Sequence, residues 1–471
     1  SNAWQISGAN AGTLNSTTVF SGISNLTGGM GNDSFTLAGG TLSGSINGGA
    51  GINTLTGDNG ANSWTVTGAN TGTVTGVTGT FSNIQNLVGG SSNDSFVFSN
   101  AATLAGTVDG GAGGINTLDF TAYSTSVGIT LTGSNPFGYS GTTSGSPNPT
   151  GGFADITQID APTSLPNTLT LANGTATTVT ITGSVPTNLF NLTVNDGGTS
   201  NLTFTNIGTV NGGTGVTNTL ISGEATSNLW TISAANGGTY NDGQSLTFTQ
   251  FGNLTGGMGN DSFTLAGGTL SGSINGGAGI NTLTGDNGAN SWTVTGANTG
   301  TVTGVTGTFS NIQNLVGGSS NDSFVFSNAA TLAGTVDGGA GGINTLDFTA
   351  YSTSVGITLT GSNPFGYSGT TSGSPNPTGG FADITQIDEP ALSNTLTLAN
   401  GTAATVTINS SVPTNLFNLT INVSGAPNLV FTNISTVNGG TGVTNTLVSG
   451  EGTNNLWTLS KIGRASCRVI V

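Results

Sequence analysis

Histidine is absent from this 471-residue chain, and cysteine and the two strong cations nearly so. Lys461, Arg464 and Arg468 are the only basic residues, and they share the last eleven positions with the single Cys467. Residues 1–460 therefore carry all 19 acidic side chains and no positive one. These absences exclude much. A zinc site of His or Cys, a nucleophile activated by His and a Lys Schiff base are impossible there, as is a disulfide framework. A polysaccharide lyase would need Arg or Lys against its substrate carboxylate, and a grip on nucleic acid would need a basic patch. No apolar run is long enough to span a membrane. A paired-carboxylate hydrolase survives this elimination, with Asp155 and Asp160 as candidates, but nothing brackets them as a cleft. The expectation is no enzyme, no nucleic-acid partner and no membrane insertion by this stretch.

What is present points to order rather than disorder. The chain has 82 Gly and only 5% charged residues, yet 34% of it is hydrophobic and regularly spaced. Glycine and asparagine suit tight corners, while Thr, Val, Ile and Phe suit the strands between them. No apolar stripe of helical period occurs. Glycine pairs recur at Gly28-Gly29, Gly48-Gly49, Gly89-Gly90 and Gly110-Gly111, each leading into a short alternating run. A period of about 20 residues of this kind marks a stack in which no turn can bury its own apolar face alone. The fold expected is all-β: a right-handed parallel β-solenoid (β-helix) with coils of about 20 residues and Pro/Gly-rich loop insertions.

The chain also repeats on a larger scale. Residues 25–160 reappear without substitution at 253–388, a step of 228 from residue 25 to residue 253. The reading is a first repeat unit at 1–252, starting within an array, and a second at 253–460. A third start, Asn454–Ser460, is cut short by Lys461–Val471. That basic tail, with its IGRASCR run, resembles the read-through of a sequencing adapter and is expected to be non-native. The chain is then a fragment of something longer.

Three features are candidates for function. Trp4, Trp64 and Trp230 stand at similar places ahead of a glycine turn, which suits a core anchor better than a ligand platform. NTL recurs at Asn53, Asn116, Asn167 and Asn218; inward leucines would stack while the Asn amides hydrogen-bond along a corner. A proline-bearing run at Gly133–Phe153, repeated at Gly361–Phe381, reads as a loop thrown out from the wall. Its Phe137, Tyr139 and Phe153, with Phe365, Tyr367 and Phe381, form the expected binding loop. Finally GGMGNDSFT, at Gly28–Thr36 and Gly256–Thr264, fits a glycine-rich calcium nonapeptide. Asp33, Asp94, Asp261 and Asp322 would be its anionic ligands, although Asn53 and Asn116 replace the acid in neighbouring turns.

The succession W-x-I/V-T-G-A-N-x-G-T-V, F-S-N-I-x-N-L-x-G-G and G-G-x-G-x-N-T-L resembles the tandem repeats of large bacterial surface proteins. These are the filamentous-haemagglutinin-like and RTX-like adhesins, and Asp109–Gly133 is similar to another of their recurring segments. The resemblance implies a β-solenoid stalk, extracellular or on the bacterial surface, that adheres to a protein or glycan receptor on host cells, surfaces or other cells. No cofactor is required on this reading. The alternative it allows is a calcium-binding RTX-type secreted protein whose effector domain lies elsewhere.

Overall fold

The computed structural model describes residues 1–145, 149–198, 200–373, 377–452 and 468–469. Among them there is no helix; every regular element is a strand, and the strands hydrogen-bond into a mostly parallel sheet. The third Trp start at Asn454–Ser460 lies outside the described residues. So does the tail, apart from Arg468–Val469, which pairs parallel with Thr446–Ser449. The chain divides into two compact units. One comprises Ser1–Glu224 with Thr239–Phe251, the other Ala225–Gly238 with Gly252–Val471.

In the first unit successive passes of the chain build parallel ladders whose inward residues lie in register. Trp4 stacks on Phe35, then Leu55, Leu87, Val108 and Phe153. A second ladder runs Trp64, Phe96, Leu118, Ile159, Phe204. The alternation read from the sequence is the cause: in Ser95–Phe98 and Asn167–Thr170 every second side chain is buried, as a period of two requires. Full burial of each such side chain contributes roughly 1.5–3 kcal/mol. Trp64 lies nearly flat on Phe96, with ring centroids 5.6 Å apart, so the tryptophan is a core anchor. The second unit repeats both ladders: Trp230 on Phe263, Leu283, Leu315, Val336 and Phe381, and Trp292 on Phe324, Leu346, Ile387 and Phe431.

The layers are not of uniform length. Steps of 20 and 21 residues (35 to 55, 87 to 108) alternate with steps of 32 and 45 (55 to 87, 108 to 153). Antiparallel meanders account for the longer ones. Ser63–Gly68, Thr71–Val74 and Val77–Ser82 form one such meander, turning at Asn70 with φ 54° and at Gly76 with φ 88°. Its middle strand must carry glycine: a Cβ on Gly72 would lie 2.1 Å from the Thr65 carbonyl and 2.7 Å from the Phe81 ring. The proline-bearing run is another meander. Val127–Asn135, Gly138–Gly145 and Phe153–Ile156 pair antiparallel and belong to the wall, so this run is not simply a loop thrown out from it. Thr178–Val185, Leu189–Asn195 and Leu202–Asn211 form a further one.

Candidate functional site

The glycine corners hold a buried polar column. Asn53, Asn116, Asn167 and Asn218 are each 0% exposed, and each does the same two things. Its Oδ1 accepts a backbone N–H of the preceding layer: from Asp33 at 2.9 Å, Asp94 at 3.1 Å, Val127 at 3.0 Å and Thr177 at 3.2 Å. Its Nδ2 donates to a backbone carbonyl of the next: Asn83 at 2.9 Å, Asp155 at 3.0 Å, Asn206 at 2.8 Å and Gln250 at 3.0 Å. The amide thus satisfies backbone groups that a corner leaves outside the ladders. The asparagine ladder expected from the NTL repeats is present, and Asn281, Asn344 and Asn394 form the same arrangement within the second unit.

The four aspartates singled out as calcium ligands occupy rungs of the column in each unit, Asp33 and Asp94 in the first and Asp261 and Asp322 in the second. Asp33, Asp94, Asp261 and Asp322 are 1–2% exposed. Oδ1 of Asp94 accepts the Asn62 backbone N–H at 2.8 Å and its Nδ2 at 2.9 Å. Asp322 is held identically by Asn290, Asp261 accepts from the Asn228 N–H at 2.8 Å, and Asp33 from the Asn2 N–H. The remaining oxygen, Oδ2, is buried in all four without a hydrogen-bond donor. Burial pushes the carboxyls of Asp94 and Asp322 up, Asn62 and Asn290 opposing it in part; that of Asp261 is raised to about 6. Calcium takes six to eight oxygens, whereas each aspartate here has one oxygen committed to an amide and the other inside the wall. Among the described residues no three acidic, His or Cys side chains gather around a common point.

The aromatic loop residues separate into two groups. Phe137 and Phe365 are 46% exposed, but Tyr139, Phe153, Tyr367 and Phe381 are 1–4% exposed. The meander explains the correction. Phe153 covers Gly141 in the neighbouring strand, and the Tyr139 hydroxyl, turned inward, donates to Asp196 Oδ1 at 3.1 Å. The Tyr367 hydroxyl accepts the Val423 N–H at 3.1 Å. One aromatic per loop faces solvent, at a tip secured where Phe137 N–H and Phe365 N–H each donate to an asparagine two residues earlier at 2.7 Å. Pro147 of the same run lies outside the described residues.

Asp155 and Asp160 belong to two different carboxyl pairs, neither visible in the linear sequence. The Asp155 carboxyl meets that of Asp109 one layer away; burial raises Asp109, and the Asp155 charge adds to it. Asn135 Nδ2 donates to Asp155 Oδ1 at 2.6 Å. Asp160 is the register partner of Asp119 and accepts from Gln158 Nε2 at 2.9 Å. Asp337 with Asp383, and Asp347 with Asp388, repeat the arrangement. The signal for the first pair was the alignment of DGG with NGG: at the corresponding place one layer type down, Asn83 Nδ2 donates to Asn47 Oδ1 at 2.9 Å. A recess of about 800 Å³ opens beside Thr36, Gly39, Thr56, Asp58, Asn59 and Ser91, and one of about 470 Å³ beside Thr264, Thr284, Asp286 and Asn287. Each is lined by a single acid, so neither offers the acid and base that hydrolysis requires.

Compared with known proteins, the chain matches no family model and no curated sequence.

Proposed function

We propose that the chain is a right-handed parallel β-solenoid, serving as a structural and adhesive stalk segment of a secreted or surface-displayed bacterial repeat protein. Its work is mechanical: each layer is hydrogen-bonded to the next, and the meander tips carry Phe137 and Phe365 outward toward a protein or glycan receptor. One observation carries the reading. The ladder of Trp64, Phe96, Leu118 and Ile159 recurs residue for residue as Trp292, Phe324, Leu346 and Ile387, as expected of a module whose copies are added in series. The acidic balance of residues 1–460, which carry no Lys, Arg or His, is in keeping with a structural role.

The test is to join one, two and three copies of the 228-residue repeat (25 to 253). Small-angle scattering should give a maximum dimension that grows by equal increments. Beads coated with each array should adhere to the same surface without hydrolysing it. A dimension that saturates, or release of sugar from a polysaccharide, would sink the stalk reading.

A further inference from the structure

Asparagine precedes glycine at nine places in the chain. In this dipeptide a backbone nitrogen can close on the preceding side-chain amide, because glycine has no Cβ to obstruct the approach. At seven of the nine the amide side chain is held by hydrogen bonds. Asn47 Oδ1 accepts the Gly49 N–H and Asn83 Nδ2, both at 2.9 Å, and Asn275 is held in the same way. Asn173 and Asn400 accept the Thr214 and Thr441 N–H at 2.8 Å, and Asn236 accepts the Ser271 N–H at 2.7 Å. Asn211 and Asn438 donate to threonine hydroxyls. The exceptions are Asn59 and Asn287, which are exposed and whose side chains have no hydrogen-bond partner among the described residues.

These two stand at the same corner of the identical stretch, between Thr54–Thr56 and Ser63–Gly68 in one unit and between Thr282–Thr284 and Ser291–Gly296 in the other. The corner has a second distinguishing feature. The Gly60 N–H donates to Asp58 Oδ1 at 2.7 Å, and the Gly288 N–H to Asp286 Oδ1 at 2.7 Å. After Asn47 and Asn211 the corresponding N–H donates instead to a backbone carbonyl, that of Ser82 at 2.9 Å and of Thr249 at 2.8 Å. A carbonyl is no base. A carboxylate is, and this one lies within the reach that proton transfer requires.

We propose that Asn59 and Asn287 are self-modification sites, at which the chain deamidates itself through a cyclic imide with Asp58 or Asp286 as the base. The Gly60 or Gly288 nitrogen bonds to the asparagine Cγ as its proton passes to the carboxylate. The carboxylate hands that proton to the departing amide, the Cγ–Nδ2 bond breaks, and ammonia leaves. Water then opens the ring at either carbonyl, giving aspartate or, with the main chain rerouted through the side chain, isoaspartate. The sum is amide plus water to acid plus ammonia, with no change of oxidation state.

The product alters the ground around it. The recess beside each corner has a single acid, Asp58 or Asp286, and the reaction sets a second next to it. Isoaspartate also adds a carbon to the main chain where the Asn59 carbonyl accepts the Ser92 hydroxyl at 2.9 Å and the Asn287 carbonyl that of Ser320 at 2.8 Å. The inference depends on this corner alone and stands apart from the adhesive reading.

The experiment ages the full chain in neutral buffer at physiological temperature and maps its chymotryptic peptides by mass spectrometry. Peptides 56–64 and 284–292 have one sequence, so the two sites are read together; the peptides around Asn47 and Asn275, also read together, are the internal control. In the native chain the first pair should convert roughly tenfold faster than the control, the ratio that about one hydrogen bond on the amide corresponds to. In urea, where every amide is released, the rates should converge. The double variant Gly60→Ala, Gly288→Ala should slow the reaction by a similar factor. Its corners keep their shape, because a Cβ there meets only the Asp58 or Asp286 side chain, at 3.0 and 2.9 Å. Asp58→Asn with Asp286→Asn keeps an acceptor for the glycine N–H and removes the base, and should slow conversion several-fold. Equal conversion of the two peptide pairs in the native chain, or an unchanged rate in the glycine variant, would overturn the inference. An unchanged rate in the aspartate variant would overturn the part given to the carboxylates.

Discussion

Residues 25–160 and 253–388 are the same sequence, and the first residue after them is not: Ala161 in one unit, Glu389 in the other. The backbone does not register the change. Asn206 Nδ2 donates to the Ala161 carbonyl at 2.9 Å, and Asn433 Nδ2 to the Glu389 carbonyl at 2.8 Å. Both side chains are 0% exposed. Ala161 fills its space with a methyl group, whereas both Glu389 carboxyl oxygens are buried without a hydrogen-bond donor. Burial raises that carboxyl from 4.5 to about 9. The comparison teaches that the ladders hold a layer in place strongly enough to keep an unpaired acid inside it, and that the second unit carries a cost the first does not.

The largest effect should be common to both units. Trp64→Ala and Trp292→Ala each empty a core site stacked on a phenylalanine at 5.6 Å, and each should cost about 3–5 kcal/mol. Equal losses in urea unfolding would confirm that the identical stretch is energetically identical. Unequal ones would mean that neighbouring layers reach into it. Next is Glu389→Ala, which should act on the second unit only. Glu389 is protonated in the native state up to about pH 9 but ionises near its ordinary value when unfolded. Stability of that unit therefore falls as pH rises from about 4.5 to about 9, and at pH 7 the accumulated cost is on the order of 3 kcal/mol. Calorimetry should show the variant's second-unit transition moved upward at pH 7 and little changed at about pH 4. Ala161→Glu should lower the first unit by a similar amount.

The features legible in the sequence are those fixed by local chemistry. Alternation in SFVF at Ser95–Phe98 gave the strand and its inward face, and the recurring NTL gave the Asn rungs, because a buried amide at a corner has few other uses. The meanders were hidden, since Thr71–Val74 has the composition of a parallel strand and nothing in its alternation states which neighbour it pairs with. Tyr139 and Phe153 were read as exposed for the same reason: prolines nearby signalled a loop, while the pairing that buries both rings is non-local. The role of Asp94 was hidden more deeply. A glycine-rich nonapeptide with an acid fits an ion or a ladder equally well, and its sequence does not state that Oδ2 of Asp94 is buried without a donor where Nδ2 of Asn116 donates.

That distinction yields a smaller prediction that applies to both units. Asn116→Asp and Asn344→Asp turn donating rungs into acids facing the Asp155 and Asp383 carbonyls, with which the wild-type amides make 3.0 Å bonds. Loss of one buried donor should cost about 1–3 kcal/mol near pH 8, and part of it should return on acidification as the new carboxyl takes up a proton. Chemical denaturation at the two pH values reads both. A cost that is the same at each would show that a rung does not need its donor.

The smallest effect on stability belongs to the tips. Phe137 and Phe365 are 46% exposed, so Phe137→Ala and Phe365→Ala should change unfolding free energy by no more than about 0.5 kcal/mol. The tips stay organised without the rings, because Asn135 and Asn363 each accept the backbone N–H two residues on and donate to Asp155 or Asp383 at 2.6 Å. A rigid loop presenting one apolar ring loses little entropy on docking, which is what the proposed contact would need. Adhesion of arrays carrying both substitutions should therefore fall while their melting curves overlay the parent's. If adhesion is unchanged, Phe137 and Phe365 are not the contact that the proposed stalk would use.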